Sequence, residues 1–207
     1  MKDFDPQQFI IQMAVLILAI TIHEFSHAIT ADKLGDPTPR SQGRISLFPT
    51  DHLDPLGTLM MLITAYTGYG IGWGRPVMTN PRNFEHPVRG SALVAIAGPI
   101  SNILQAIVFA GLYRLMPNLS DSVQTLFILG VYINLSLALF NMIPIGPLDG
   151  HWVIQAILPR DLSMQYERLN RAYGSMVFIG LVLMAPGVLR SLISPSVLSM
   201  AKILIGS

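Results

Sequence analysis

The 207-residue chain is 51 % hydrophobic and only 12 % charged, with a mean hydropathy of +0.52. That is too apolar for a water-soluble domain and fits a polytopic membrane protein with short loops. A net charge of +1 gives no electrostatic ground for a nucleic-acid partner, and the lack of cysteine removes thiol catalysis, disulfides and every cysteine-type zinc site.

Residues 1–8 carry one lysine against two aspartates, and the apolar run that follows holds histidines rather than a small-residue cleavage site, so no cleavable signal is expected. Residues 9–31 suffice to cross a hydrocarbon core of about 30 Å at about 1.5 Å per residue. Near the end of this run stands Thr21-Ile22-His23-Glu24-Phe25-Ser26-His27. Positions four apart share a helix face, so His23 and His27 can present two imidazoles to one metal ion. Glu24 stands beside them to take a proton from water at the metal. Two histidines and a glutamate are costly in hydrocarbon, which makes them a functional hypothesis by default. The bland alternative is a chance match whose polar groups pair with each other.

From 32 to 54 the chain turns polar and is punctuated by Gly35, Pro37, Pro39, Gly43 and Pro49. Alternation across Arg44-Ile45-Ser46-Leu47-Phe48 predicts a short strand there, half of a hairpin. Residues 56–69 are apolar but short, and glycines follow at 68, 70, 72 and 74; 73–89 reads as a polar loop. Runs 90–113 and 122–143 hold no ionisable group, and the second leads into Asn141-Met142-Ile143-Pro144-Ile145-Gly146-Pro147-Leu148-Asp149-Gly150. After a polar loop come two shorter apolar pieces, about 173–185 and 192–205, broken by Pro186-Gly187 and Pro195. No internal repeat or linker interrupts the chain, and a single membrane domain over 1–207 is expected.

A hydrolytic zinc site has three protein ligands and one open position. The third ligand has six candidates: Asp149, Asp51, Asp54, His52, His86 and His151. Most sit in Pro- or Gly-rich loops, where a solvated charge explains them. Asp149 instead follows a membrane helix broken by Pro144, Gly146 and Pro147, and irregular backbone at membrane depth survives only inside protein or along a wet cavity. If Asp149 shares the metal, helices 9–31 and 122–143 run parallel with 90–113 antiparallel between them. Segment 56–73 then makes no net crossing and is expected to be re-entrant. The predicted fold is therefore an all-α polytopic membrane protein: a three-helix core, a re-entrant or β-hairpin segment, and a C-terminal helical pair. On this topology Lys33, Arg40, Arg44, Arg75, Arg82, Arg89, Arg160, Arg168 and Arg171 share the face nearer the site, against Lys2, Arg114 and Arg190 opposite. The positive-inside rule makes the first face cytoplasmic and puts the N-terminus outside, with Trp73 and Trp152 as interfacial anchors.

Three segments carry a resemblance: H-E-F-S-H in the first helix, A-G-P-I-S-N at 97–102, and N-M-I-P-I-G-P-L-D-G at 141–150. In order and spacing, over roughly residues 9–172, they resemble the signatures of the site-2 protease family, intramembrane zinc metalloproteases built on three helices. D-H-L-D-P-L-G-T at 51–58 is similar to the shorter bacterial and archaeal members. The resemblance implies one zinc ion on His23, His27 and Asp149, with Glu24 catalytic. It also implies that Asn141 hydrogen-bonds the substrate backbone or the developing oxyanion, although a helix–helix amide contact explains Asn141 equally well. The implied substrate is a transmembrane or juxtamembrane segment of another membrane protein, cut near the cytoplasmic face of a prokaryotic membrane, as in regulated intramembrane proteolysis. No PDZ insertion or CBS domain is seen, and His151-Trp152 stands where a small or basic residue is expected. Asn102 and Pro99 read as packing, and Gly98 as permitting close helix approach. A helical substrate must unwind before attack, and strand 44–48 or segment 56–73 is expected to hold it by strand addition.

Two rival classes stay open. Stress or prenyl-processing membrane zincins also carry H-E-x-x-H, but take further ligands from downstream Glu or His, and here Glu85 and Glu167 both lie in loops. The other is a non-proteolytic zinc-binding protein or metal transporter. Transporters tend to show paired broken helices or acidic pathways through several spans, and no full-length apolar span here except the first contains an acidic or basic residue.

Overall fold

The structure, a computed structural model, describes residues 4–67, 72–116 and 118–206. Its helices are α1 (Pro6–Lys33), a single turn α2 (Thr38–Ser41), α3 (Pro55–Thr67), α4 (Pro87–Leu115), α5 (Asp121–Asn141), α6 (Gly150–Ile157), α7 (Arg160–Leu169), α8 (Ser175–Met184) and α9 (Pro186–Ile205). A π turn, Asn170–Gly174, joins α7 to α8. Among the described residues α1, α4, α5 and α9 are long and apolar enough to cross a bilayer. Apolar runs of this length become helices because hydrocarbon offers no partner for backbone N–H and C=O groups. The start of α1 is fixed locally: Asp5 accepts from the backbone N–H of Gln7 and Gln8, and Pro6 takes the first helical position.

The helix directions follow from contacts at both ends. The Gln7 amide bonds the Ser122 hydroxyl where α1 and α5 begin, and side chains near the end of α1 meet Asp149 beyond the end of α5. These two helices therefore run parallel. On α4, by contrast, Val94 faces His27 and Asn102 faces His23, so α4 runs the opposite way between them. This is the expected three-helix arrangement. Ala106, Ala110, Val131, Leu135, Val197 and Ala201 form the buried seam between α4, α5 and α9, where small side chains let the helices approach. Ile107, Val108 and Leu112 remain exposed, as side chains turned to lipid are. Four apolar helices with such a surface make this an integral membrane protein.

Two expectations need correction. No strand forms among the described residues, and 44–48 is irregular. Its backbone is tied by side chains instead of a ladder: the His52 ring bonds Ser46 O at 2.7 Å, and the Arg44 guanidinium donates to Arg75 O. Extended pairing is reduced to one isolated antiparallel bridge, Leu53 to Gly74, with Arg75 N donating to His52 O at 2.7 Å. The C-terminal pieces also differ, because α9 passes through Pro195 as one 20-residue helix.

Segment 56–73 contains the 13-residue helix α3, too short at about 1.5 Å per residue to cross about 30 Å. Residues 68–71 lie outside the described residues. The chain comes back beside its own entry point. The Leu53–Gly74 bridge places both ends together, and a Cβ on Gly57 would run into Trp73 O.

Candidate metal centre

α1 places His23 and His27 one turn apart, both buried, with ring centroids 4.6 Å apart and the rings nearly perpendicular. Their outer nitrogens are already engaged. His27 Nδ1 lies 2.7 Å from Val94 O, and His23 Nδ1 lies 2.6 Å from Asn102 Oδ1. A carbonyl oxygen only accepts, so both Nδ1 atoms donate, and both Nε2 atoms are left facing the centre of the cluster. The orientation of Asn102 is fixed in turn. Its amide nitrogen donates to Asn134 Oδ1 at 2.9 Å and to Ala19 O at 3.3 Å, and Asn134 donates to Gly130 O at 2.9 Å. Asn102 and Asn134 are fully buried in otherwise apolar helices. Asn102 holds the outer nitrogen of His23 and Asn134 orients Asn102, while Val94 O holds that of His27.

The third group arrives from the break after α5. Asp149 stands at the start of α6 but makes no capping bond with its side chain. Its Oδ2 is buried, receives no hydrogen bond, and lies 3.2 Å from His23 Nε2 and 3.4 Å from His27 Nε2. The two Nε2 atoms are 3.0 Å apart. Three potential ligand atoms thus converge within 3.0–3.4 Å of one another, an arrangement that a cation at its centre would satisfy. Four ligands about 2.0–2.1 Å from a tetrahedral zinc lie about 3.3 Å from one another, close to the spacing seen here. The residues present therefore fit a metal ion, and two imidazoles with a carboxylate are a zinc-type donor set.

Glu24 lies on the same helix. Its Oε2 accepts the Val77 backbone N–H at 3.2 Å and lies 4.0 Å from Arg44 Nη2. Arg44 is 3 % exposed, and its Nε has no partner. Burial pushes its guanidinium below the ordinary value, against the pull of Glu24, yet an arginine still carries its charge. The wall opposite the histidines is Gly98, where a Cβ would stand 2.5 Å from His27 Nε2 and 2.6 Å from His23 Nε2.

Of the six candidates for a third ligand, Asp149 alone joins the histidines in a cluster among the described residues. His52 is buried against Ser46 O, Asp54 accepts from Gly57 N at 2.7 Å, His86 precedes α4, and the His151 ring bonds Leu148 O. Asn141 ends α5 half-buried, with its amide nitrogen bonded to Leu137 O at 3.0 Å. Asn102 was legible only as packing, and Asn134, Arg44 and Val77 carried no sequence signal of their own. The available hint was amide side chains, Asn102 and Gln105 on α4 and Asn134 on α5, in the middle of spans otherwise mostly apolar.

Two imidazoles and a carboxylate converging between membrane helices define a candidate metal centre of a membrane protein. The family model for peptidase family M50 matches residues 116–185, the stretch that contains Asp149. A protein of Bacillus subtilis (strain 168), provisionally named zinc metalloprotease YwhC, is 37 % identical over 174 residues, covering 79 % of this chain and 76 % of its own length. The provisionally named zinc metalloproteases Rip2 are more distant. That of Mycolicibacterium smegmatis is 28 % identical over 71 % of this chain, and that of Mycobacterium tuberculosis (strain H37Rv) 27 % over 86 %. The chain spans 57 % and 68 % of their respective lengths. The chain belongs to peptidase family M50, the site-2 protease family. No solved structure matches it significantly.

Proposed function

We propose that this chain is a single-domain, zinc-dependent endopeptidase that cleaves transmembrane or juxtamembrane segments of other membrane proteins near the cytoplasmic face, a regulated intramembrane protease. One observation carries the reading: two imidazole nitrogens and a carboxylate oxygen converge within 3.0–3.4 Å between apolar helices. His23, His27 and Asp149 hold the zinc. Such a zinc, when bound, acidifies water and polarises the scissile carbonyl. Glu24 takes the proton of the attacking water and delivers it to the departing amide nitrogen, so that one peptide bond and one water become a carboxylate and an amine. Glu24 already accepts a peptide N–H, from Val77, which supports a substrate backbone lying beside this stretch. Asn141 contacts the substrate through its side-chain oxygen, its nitrogen being engaged within α5.

In this reading α3 and the return through Trp73 form a re-entrant element that enters and leaves the bilayer on one side, at the face where the basic residues gather. The test is Glu24→Gln in cells or proteoliposomes holding a candidate membrane substrate. The variant keeps its zinc and yields no fragments. Fragments produced at the wild-type rate, or zinc flux unaltered with no proteolysis by either protein, would refute it.

A further inference from the structure

Asp149 reaches the histidines on a stretch, 142–148, that the prolines have removed from the helix. Its freed backbone groups need partners from elsewhere. The geometry points to Asn170 and Tyr166 as positioning residues for the third metal ligand, and to the π turn that Asn170 opens as the brace of the metal centre; this inference rests on the metal reading above. Asn170 Oδ1 accepts the Gly146 N–H at 2.8 Å, and the Tyr166 hydroxyl donates to Pro144 O at 2.9 Å. The two residues are four apart and share a face, so they grip the broken stretch at two points.

The fit leaves little slack. A Cβ on Gly146 would stand 2.7 Å from Asn170 Nδ2, and one on Gly174 would stand 2.5 Å from Asn170 Oδ1. The Asn170 amide is held between two glycines. The gripping helix is itself tied to the helix that Asp149 begins: the Ser163 hydroxyl donates to Gln155 O at 2.8 Å, and Gln155 Nε2 donates to Glu167 Oε2 at 2.9 Å. Stretch, Asp149, α6 and α7 thus close into a ring, which fixes where the carboxylate sits. π turns are rare and concentrate at functional sites, and Asn170–Gly174 is one. No metal ligand lies on α7 or the π turn, so their effect on the centre passes through Asp149.

The experiment uses the full chain in detergent or nanodiscs, zinc as probe with a competing chelator, and cobalt for its visible spectrum. Asn170→Ala is expected to weaken zinc binding by roughly 10- to 100-fold, the effect typical of outer-shell partners, and Tyr166→Phe by a few-fold. Arg190→Ala, at an exposed position on α9 outside this ring, serves as control and leaves affinity unchanged. The cobalt spectrum of Asn170→Ala loses tetrahedral intensity, whereas the melting of zinc-free protein stays near that of the control. The inference is overturned if both variants bind zinc like the wild type, or if zinc-free melting falls while affinity holds. Should Asn170→Ala not fold, Tyr166→Phe alone decides. Failure of the metal reading itself is seen separately, as wild-type protein that binds no zinc.

Discussion

Replacing Gly98 with alanine adds one methyl group at the most confined point of the metal centre. Built on the α4 backbone, the new carbon stands 2.5 Å from His27 Nε2 and 2.6 Å from both Cε1 and Nε2 of His23, against an ordinary contact of 3.4–4 Å. Both rings must retreat by almost an ångström. Their Nδ1 atoms are bound to Val94 O and Asn102 Oδ1 at 2.7 and 2.6 Å, so neither ring can swing without breaking that bond. Metal–ligand distances tolerate only about 0.2 Å. Zinc affinity should fall at least 100-fold, about 2.7 kcal/mol. Breaking a buried Nδ1 bond costs the fold about 1–3 kcal/mol, against about 1 kcal/mol returned by alanine as the better helix former, so zinc-free protein should melt somewhat lower. Chelator-competition titration of Gly98→Ala, set beside thermal melting of zinc-free protein, measures both quantities. Wild-type zinc affinity in this variant would refute the placement of the imidazoles against α4.

Other substitutions probe the surroundings of the centre. Asn102→Ala strands the buried Nδ1–H of His23 and should weaken zinc binding by roughly 10- to 100-fold in the same titration. Asn134→Ala, one hydrogen bond further out, should have a smaller effect. Arg44→Met removes the cation facing Glu24 and leaves the metal ligands untouched; proteolysis assays should show slower turnover with zinc content unchanged. Asp36 reports on folding: burial opposes its charge, but hydrogen bonds from Thr38, Asn80 and Asn83 outweigh it and hold the carboxyl below the ordinary range. Its stabilisation is full above the unfolded-state value of about 3.9 and is lost as pH falls through the folded-state value. Asp36→Asn should therefore be less stable at neutral pH and show a shallower loss on acidification, measured by melting across pH 3–7.

The core of the fold was legible because it depends on long-range composition: apolar runs at 9–31, 90–113 and 122–143 have no stable form in hydrocarbon except the helix. His23 and His27 were legible as a pair because four-residue spacing fixes their common face before any tertiary contact exists. Asp149 was legible through the prolines that isolate it. Reading failed where pairing decides. Alternation at 44–48 suggested a strand, but a strand needs a partner, and the backbone here is satisfied by His52 and by the Arg44 guanidinium. Pro195 looked like a break because local propensity disfavours it, whereas packing of Val197 and Ala201 against α4 and α5 carries α9 through. The roles of Asn102 and Arg44 depend on which side chain they meet across 79 and 20 positions of chain, and no local pattern encodes that.

The central claim is met most directly by X-ray absorption at the zinc edge on purified wild-type protein and on Asp149→Ala. One zinc per chain is expected, with two imidazoles and one carboxylate oxygen at about 2.0–2.2 Å. The substitution should remove the carboxylate contribution and most of the affinity. A wild-type protein without stoichiometric zinc, or a zinc environment that does not change when Asp149 is lost, would contradict the account.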